Sequence, residues 1–254
     1  MLGIRPVDLA ITEADTDLCG YDIGTRASRM TYMQGEATRR TALRLAEALL
    51  AAAGLIRNTA PALLELTGGG VVDRHSGDVL TLPALALALG RAGLPLPSAT
   101  VTHEATANPS SHAAHFACVE VDTMTGLVRV TDYLAAHDVG RAINPMLVEG
   151  QIHGGIQIGI GYALYEDVAI DRTTGLMEGD SLSRYTLANA SEMPPVRIVL
   201  VEEGEPTGPF GAKAVGEIAT VPVAAAVVNA VNNALGTELR DLPLLPERIV
   251  AALM

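Results

Sequence analysis

Three short segments of the 254-residue chain carry residue types that chemistry uses. Glu217 follows Gly216 at the end of the loop Pro209–Glu217, with Val215 and Ile218 beside it. A carboxylate so placed can serve as a general base, and burial among apolar neighbours would raise its pKa toward neutrality. Lys213 is the cation of the same loop. The second segment, Ala136–Gly155, carries His137, Asp138 and Arg141, then Gln151 among Gly150, Gly154 and Gly155. Its glycines allow close backbone approach to a ligand, and Gln151 offers that ligand an amide. The third, Gly24–Gly35, sets Gly24, Ala27 and Ser28 ahead of a helix. Backbone N–H groups at such a junction can bind an anion.

Each segment also has a plainer reading. Glu217 would favour the positive end of the helix that follows it. Glycines inside a helix also permit close packing on a neighbour, and loop-to-helix capping accounts for Ser28. The residue types alone leave both readings open.

Other motifs are eliminated by spacing. Gly68–Gly70 lacks the G-x-G-x-x-G layout and following helix of a dinucleotide site. Gly208–Lys213 has no Ser or Thr after its Lys, so it is not a Walker A loop. No G-x-S-x-G elbow is present. His112 and His115 lack a nearby Cys or carboxylate to complete a metal set, and read as surface or strand-edge histidines.

Composition narrows the class. The chain is 49% hydrophobic and 18% charged, enough to bury a core. Its net charge of −12 argues against nucleic acid or anionic lipid as the main partner. The two cysteines, Cys19 and Cys118, cannot ligate an iron–sulfur cluster, which takes four thiolates, and suggest a reducing, cytoplasmic setting. No signal peptide is expected at the start. The longest weakly charged stretch is taken as Ile152–Leu164, too short to span a bilayer.

The elements that must position these residues follow from pattern. Val7–Glu13 alternates and predicts a strand. Glu36–Leu55 is rich in Ala, Leu, Arg and Glu and predicts a helix, with Gly54 at its C-terminal end. A glycine-rich turn at Thr67–Asp73 leads to a short strand, and Leu82–Gly90 predicts a second helix. Leu94–Ser98 is proline-rich and marks a sub-boundary. His115–Asp122 and Leu127–Ala135 predict a hairpin turning at Thr123–Gly126. Asn144 caps and Pro145 opens a helix to about Tyr162. A second hairpin turns at Arg172–Gly175, Val196–Glu202 is a strand, and Ala219–Leu235 is a buried helix, apolar nearly all round. Strands and helices without strict alternation predict an α+β fold of mixed sheets with packed helices.

Four stretches then stand out in order: VEVDTMTGLVRV, AAHDVGRAINPMLVEGQIHGGIQIGIGYAL, GPFGAKAVGE and the ending LPLLPERIVAAL. With GTRASRMTYMQGEA upstream, they resemble the molybdenum-binding part of the xanthine dehydrogenase / aldehyde oxidase family of molybdenum hydroxylases. The likeness runs from about Leu2 to Leu253, so residues 1–254 read as one molybdopterin-binding region, similar to the C-terminal portion of longer family subunits.

The resemblance implies a mechanism and a setting. Oxygen from water is inserted into an electron-poor C–H bond of an aldehyde or N-heterocycle, with a glutamate as base. Glu217 matches that glutamate, and Gln151 a glutamine that hydrogen-bonds the cofactor. Ala27 and Ser28 match the loop backbone near the pterin, with Gly24 in the same stretch. Lys213 and Gly216 frame the site. The implied cofactor is molybdenum-molybdopterin, in the cytosine dinucleotide form for a bacterial source. The metal is held through the pterin dithiolene and by no side chain. Partner subunits would carry the iron–sulfur clusters and FAD, and an N-terminal or large molybdenum subunit would complete the site. A non-catalytic cofactor-binding or assembly subunit is the rival reading.

Overall fold

The computed structural model describes residues 1–12 and 15–254. It divides into two compact units, one of residues 1–25 and 33–106, the other of residues 26–32 and 107–254.

The helix α1, Met30–Arg57, which from Met33 onward belongs to the first unit, runs longer than its sequence pattern predicts. Asn58, at φ 53°, takes the left-handed position that ends it. The Thr59 amide then donates to the Gly54 carbonyl at 3.0 Å, a Schellman closure. Gly54 is therefore not the terminal cap. A Cβ there would lie 2.7 Å from the Thr59 carbonyl oxygen, so glycine admits the returning chain. Strands β1 (Leu64–Thr67), β2 (Gly70–Asp73) and β3 (Val79–Leu80) form an antiparallel sheet. Helix α2, Leu82–Arg91, is capped by the Thr81 hydroxyl. Leu64, Val71, Leu85, Leu89 and Ala53 form this unit's core. The strand predicted at Val7–Glu13 is not formed over its described residues; Pro6–Asp8 is a short helical turn instead, since Pro6 fixes φ and leads a turn. Glu13 lies outside the described residues.

The second unit is built on β4 (Ala113–Val121), β5 (Val128–Asp138) and β6 (Val196–Val201). The predicted hairpin pairs β4 with β5 antiparallel, with a bulge at Cys118/Val119. β6 adds parallel to β5, from Tyr133↔Val196 to Asp138↔Val201. Helix α3, Pro145–Leu164, starts as predicted, with Asn144 Oδ1 accepting from the Leu147 amide. It buries Ile152, Ile156 and Ile160, one residue per turn, against the sheet's inner face and α4, Val223–Leu235.

Three expectations need correction here. The apolar run Glu217–Leu235, 19 residues long, exceeds Ile152–Leu164 and is long and apolar enough in principle to cross a membrane. It is not one helix: a turn at Glu217–Ala219 is separated by Pro222 from α4, because proline opens a helix better than it continues one. α4 is also not buried all round; Val223, Ala224, Val227 and Val231 make a single buried stripe. The expected hairpin at Arg172–Gly175 is one isolated bridge, Ile170↔Met177, closed by Asp171 accepting from the Thr173 and Thr174 amides. The C-terminal helix α5, Pro246–Leu253, opens on Pro246 and buries Ile249.

Candidate functional site

The site is assembled from both ends of the second unit's sequence. Ala27 and Ser28 both lie in the left-handed region, at φ 51° and 53°, just before α1 begins. That conformation costs a non-glycine residue about 1–3 kcal/mol and is held only where its surroundings demand it. It presents the Ser28 hydroxyl to the other end of the chain. Ser28 Oγ accepts a hydrogen bond from the Glu217 amide at 2.6 Å.

Gly216 sits between Ser28 and Gln151. A Cβ on it would lie 2.8 Å from Ser28 Oγ and 3.3 Å from Gln151 Oε1. Glycine is thus what lets hydroxyl, amide and carboxylate-bearing backbone meet. Gln151 and Glu217 are both exposed. The burial expected around Glu217 is not provided by this chain: Glu217 opens its turn and points outward, while Ala219 takes the buried position.

The glycines of α3 divide by face. A Cβ on Gly155 would meet that of Ala219 at 2.6 Å, and one on Gly159 would meet Val223 Cβ at 2.3 Å. Those two are packing glycines. Gly150 and Gly154 face open space, on the turn that carries Gln151. The packing reading therefore holds for Gly155 and Gly159 and not for Gly150 and Gly154.

Lys213 is committed to a neighbour. Its ammonium lies 2.6 Å from Asp138 Oδ2, with the two side chains 11% and 14% exposed. Burial opposes the Asp138 charge, but Lys213 and the Gly140 amide outweigh it and hold the carboxyl below its usual range. Asp138 in turn raises the Lys213 pKa. The loop is further tied down by the Lys213 amide donating to the Val139 carbonyl at 2.9 Å and Arg141 to Gly211 at 2.8 Å. Gly24 belongs to the first unit; at φ 82° its amide donates to Asp22 Oδ1 at 2.6 Å.

The surface or strand-edge reading holds for His112 and for His115, which lies on the edge strand β4, and a third histidine, His137 of β5, joins His115. His112 is exposed, but His137 is fully buried and His115 half-buried. Their Nε2 atoms are 2.7 Å apart, so one proton is shared between them. His115 Nδ1 meets the Tyr133 hydroxyl at 3.0 Å. Burial, with His137 beside it, pushes the His115 pKa down to about 4, and burial lowers His137 too. The spacing of two residues from strands that pair antiparallel was the only sequence signal for this contact. A cavity of about 810 Å³ lined by Val128, Leu164, Met193 and Leu244 contains none of the predicted site residues.

Known proteins carry the same arrangement of chain. The molybdopterin cofactor-binding domain family matches residues 1–194. The chain is 35% identical over 244 residues to the putative xanthine dehydrogenase molybdenum-binding subunit XdhA of Escherichia coli K12, covering 94% of this chain and 32% of that protein. It is 32% identical to the 6-hydroxypseudooxynicotine dehydrogenase complex subunit gamma of Paenarthrobacter nicotinovorans, covering 98% of this chain and 32% of that one. Quinoline 2-oxidoreductase from Pseudomonas putida 86 superposes with a TM-score of 0.84 at 32% identity, over 99% of this chain and 33% of its own. The chain spans about a third of the length of these relatives. It belongs to the molybdopterin cofactor-binding domain family.

Proposed function

We propose that this chain is the C-terminal, molybdopterin-binding component of a multi-subunit molybdenum hydroxylase, with Glu217 as its general base. The reaction is insertion of water-derived oxygen into a C–H bond of an aldehyde or N-heterocycle. The observation that carries the reading is the convergence of Ser28, Gln151 and Gly216–Glu217 on one exposed locus.

The residues present fit the implied cofactor. The exposed Gln151 amide, the left-handed Ala27–Ser28 backbone and the open face at Gly150 and Gly154 give polar groups and space together. Gln151 would hydrogen-bond the pterin, and Ala27, Ser28 and Gly216 would line it. Bound molybdenum-molybdopterin, in its cytosine dinucleotide form, supplies the two-electron redox chemistry. The chain's own part is to hold and move a proton at the Glu217 carboxylate, which the Ser28 bond to its backbone orients. The Lys213–Asp138 pair fixes the loop and leaves Glu217 the loop's free ionisable group. Glu217 is exposed here, so the water exclusion that a tuned base needs falls to another polypeptide. Electrons would pass to iron–sulfur and FAD subunits, in the cytoplasm.

Glu217→Gln in the intact complex tests this. General-base assistance contributes about 10²–10⁴-fold, so kcat should fall by that factor with molybdenum content unchanged. Turnover near the wild-type rate would remove Glu217 from the mechanism and leave the chain a cofactor-binding or assembly component.

A further inference from the structure

Tyr32 stands in the first turn of α1, just after the Ala27–Ser28 turn, and is only 7% exposed. It belongs with residues 26–32 to the second unit, as does the whole loop that leads to Glu217. Its hydroxyl lies 2.7 Å from Thr207 Oγ1. Thr207 has one hydroxyl proton, and that proton goes to Glu205 Oε1 at 2.6 Å, because a carboxylate only accepts. The direction of the chain is therefore fixed: Tyr32 donates to Thr207, and Thr207 donates to Glu205. The Ala107 carbonyl, 3.5 Å from the Tyr32 hydroxyl, is too far to compete for its proton. The Thr207 amide donates to the same Glu205 oxygen at 2.9 Å. Those two bonds from Thr207 hold the Glu205 carboxyl below its usual range, so the acceptor end of the chain stays ionised.

The loop closes around this contact. The Glu205 amide donates to the Gly211 carbonyl at 3.0 Å, and the Gly208 amide to the Glu205 carbonyl at 3.1 Å. A Cβ on Gly208 would run into the Ala212 carbonyl oxygen and lie 3.3 Å from Tyr32 Cδ2, so glycine lets ring and loop backbone meet. Strain gathers at the same place. Four non-glycine residues among those described lie in the left-handed region, and three of them, Ala27, Ser28 and Phe210, stand in the two segments that Tyr32 joins. Such backbone persists only where its surroundings over-determine it, and it clusters at functional sites.

We propose that Tyr32 is a positioning residue for Glu217. Through Thr207 and Glu205 it holds the loop 205–217 against the Ala27–Ser28 turn, so that the Ser28–Glu217 bond forms in one orientation. One hydrogen bond between two segments acts as a hinge. Two ties from one short segment, at Ser28 and Tyr32, to one loop, at Glu217 and Thr207, remove that freedom. Tyr32 acts through the loop and not as an acid or base, since its proton is committed to Thr207. The inference rests on the role proposed above for Glu217.

The test uses three variants in the intact enzyme that contains this chain. Tyr32→Phe removes the donor, Thr207→Val removes the middle hydroxyl and keeps its shape, and Thr207→Ser keeps the hydroxyl. Hydrogen exchange is read at the Glu217 amide, with Ser28→Ala as the released reference, and at Tyr133 and Ala135 in β5 as the measure of overall stability. Tyr32→Phe and Thr207→Val should each speed exchange at Glu217 at least about threefold and leave β5 unchanged, while Thr207→Ser should match wild type. In the same two variants kcat should fall at least about threefold, with KM near wild type. Wild-type exchange at Glu217 in both, or acceleration spread equally over β5, would overturn the clamp. So would an unchanged kcat in both where Glu217→Gln lowers it. An unchanged kcat in Glu217→Gln would instead overturn the proposed function, and the exchange rates alone would then decide the clamp.

Discussion

The Glu217 amide donates to the Ser28 hydroxyl at 2.6 Å across 189 residues of sequence. The bond ties the backbone of the candidate base to a loop held in the left-handed region. It is made at the surface, so its loss should cost little stability. Ser28→Ala should therefore lower kcat of the assembled enzyme while shifting the unfolding free energy by less than about 1 kcal/mol. Steady-state kinetics beside denaturant unfolding would check this, and an unchanged kcat would show that the bond does not position Glu217.

The two kinds of glycine in α3 should respond in opposite ways to alanine. Gly159→Ala forces a methyl into Val223 and should destabilise the chain by about 1–3 kcal/mol. Gly150→Ala meets nothing and should stabilise it by about 0.5–1 kcal/mol, as alanine does in an exposed helix. If the open face receives the cofactor, Gly150→Ala should also lower the pterin content of the complex. Denaturation midpoints and pterin content separate the two effects.

Breaking the Asp138–Lys213 pair leaves one nearly buried charge without its partner. Lys213→Met should destabilise the chain by about 1–3 kcal/mol and loosen the loop 209–217. Proteolysis within that loop should be faster than in wild type, which is the measurement that distinguishes a lost tether from a surface change.

Acid should act in two separate windows. The His115 pKa is depressed to about 4 from 6.5, so the unfolded chain binds the proton first and stability is lost as pH falls from about 6.5 toward 4. The Glu36 pKa is held at about 2, from 4.5, by Arg39 first and then Arg40. Its contribution is full above about 4.5 and is lost as pH falls toward 2. His115→Gln should flatten the upper part of a stability–pH curve and leave the lower part. Equal slopes in both proteins would mean that the shared proton between His115 and His137 does not govern the upper window.

The sequence by itself determined the start of α3, the β4–β5 hairpin and the family. Asn144–Pro145 dictates a helix start through cap chemistry and fixed φ, and the alternation in β4 and β5 dictates a hairpin, because these signals act within a few residues. The order of small-residue segments carrying Ser28, Gln151 and Glu217 was legible as a likeness to molybdenum hydroxylases for the same reason. Tertiary structure decided what depends on contacts distant in sequence. It set the parallel addition of β6, the division of the α3 glycines between packing and open space, the pairing of Lys213 with Asp138, and the burial of His115 against His137. It also left Glu217 exposed, against the expectation drawn from its apolar neighbours. Adjacent side chains in a turn point in different directions, so neighbours in sequence do not fix burial; only the surfaces that meet across the fold do.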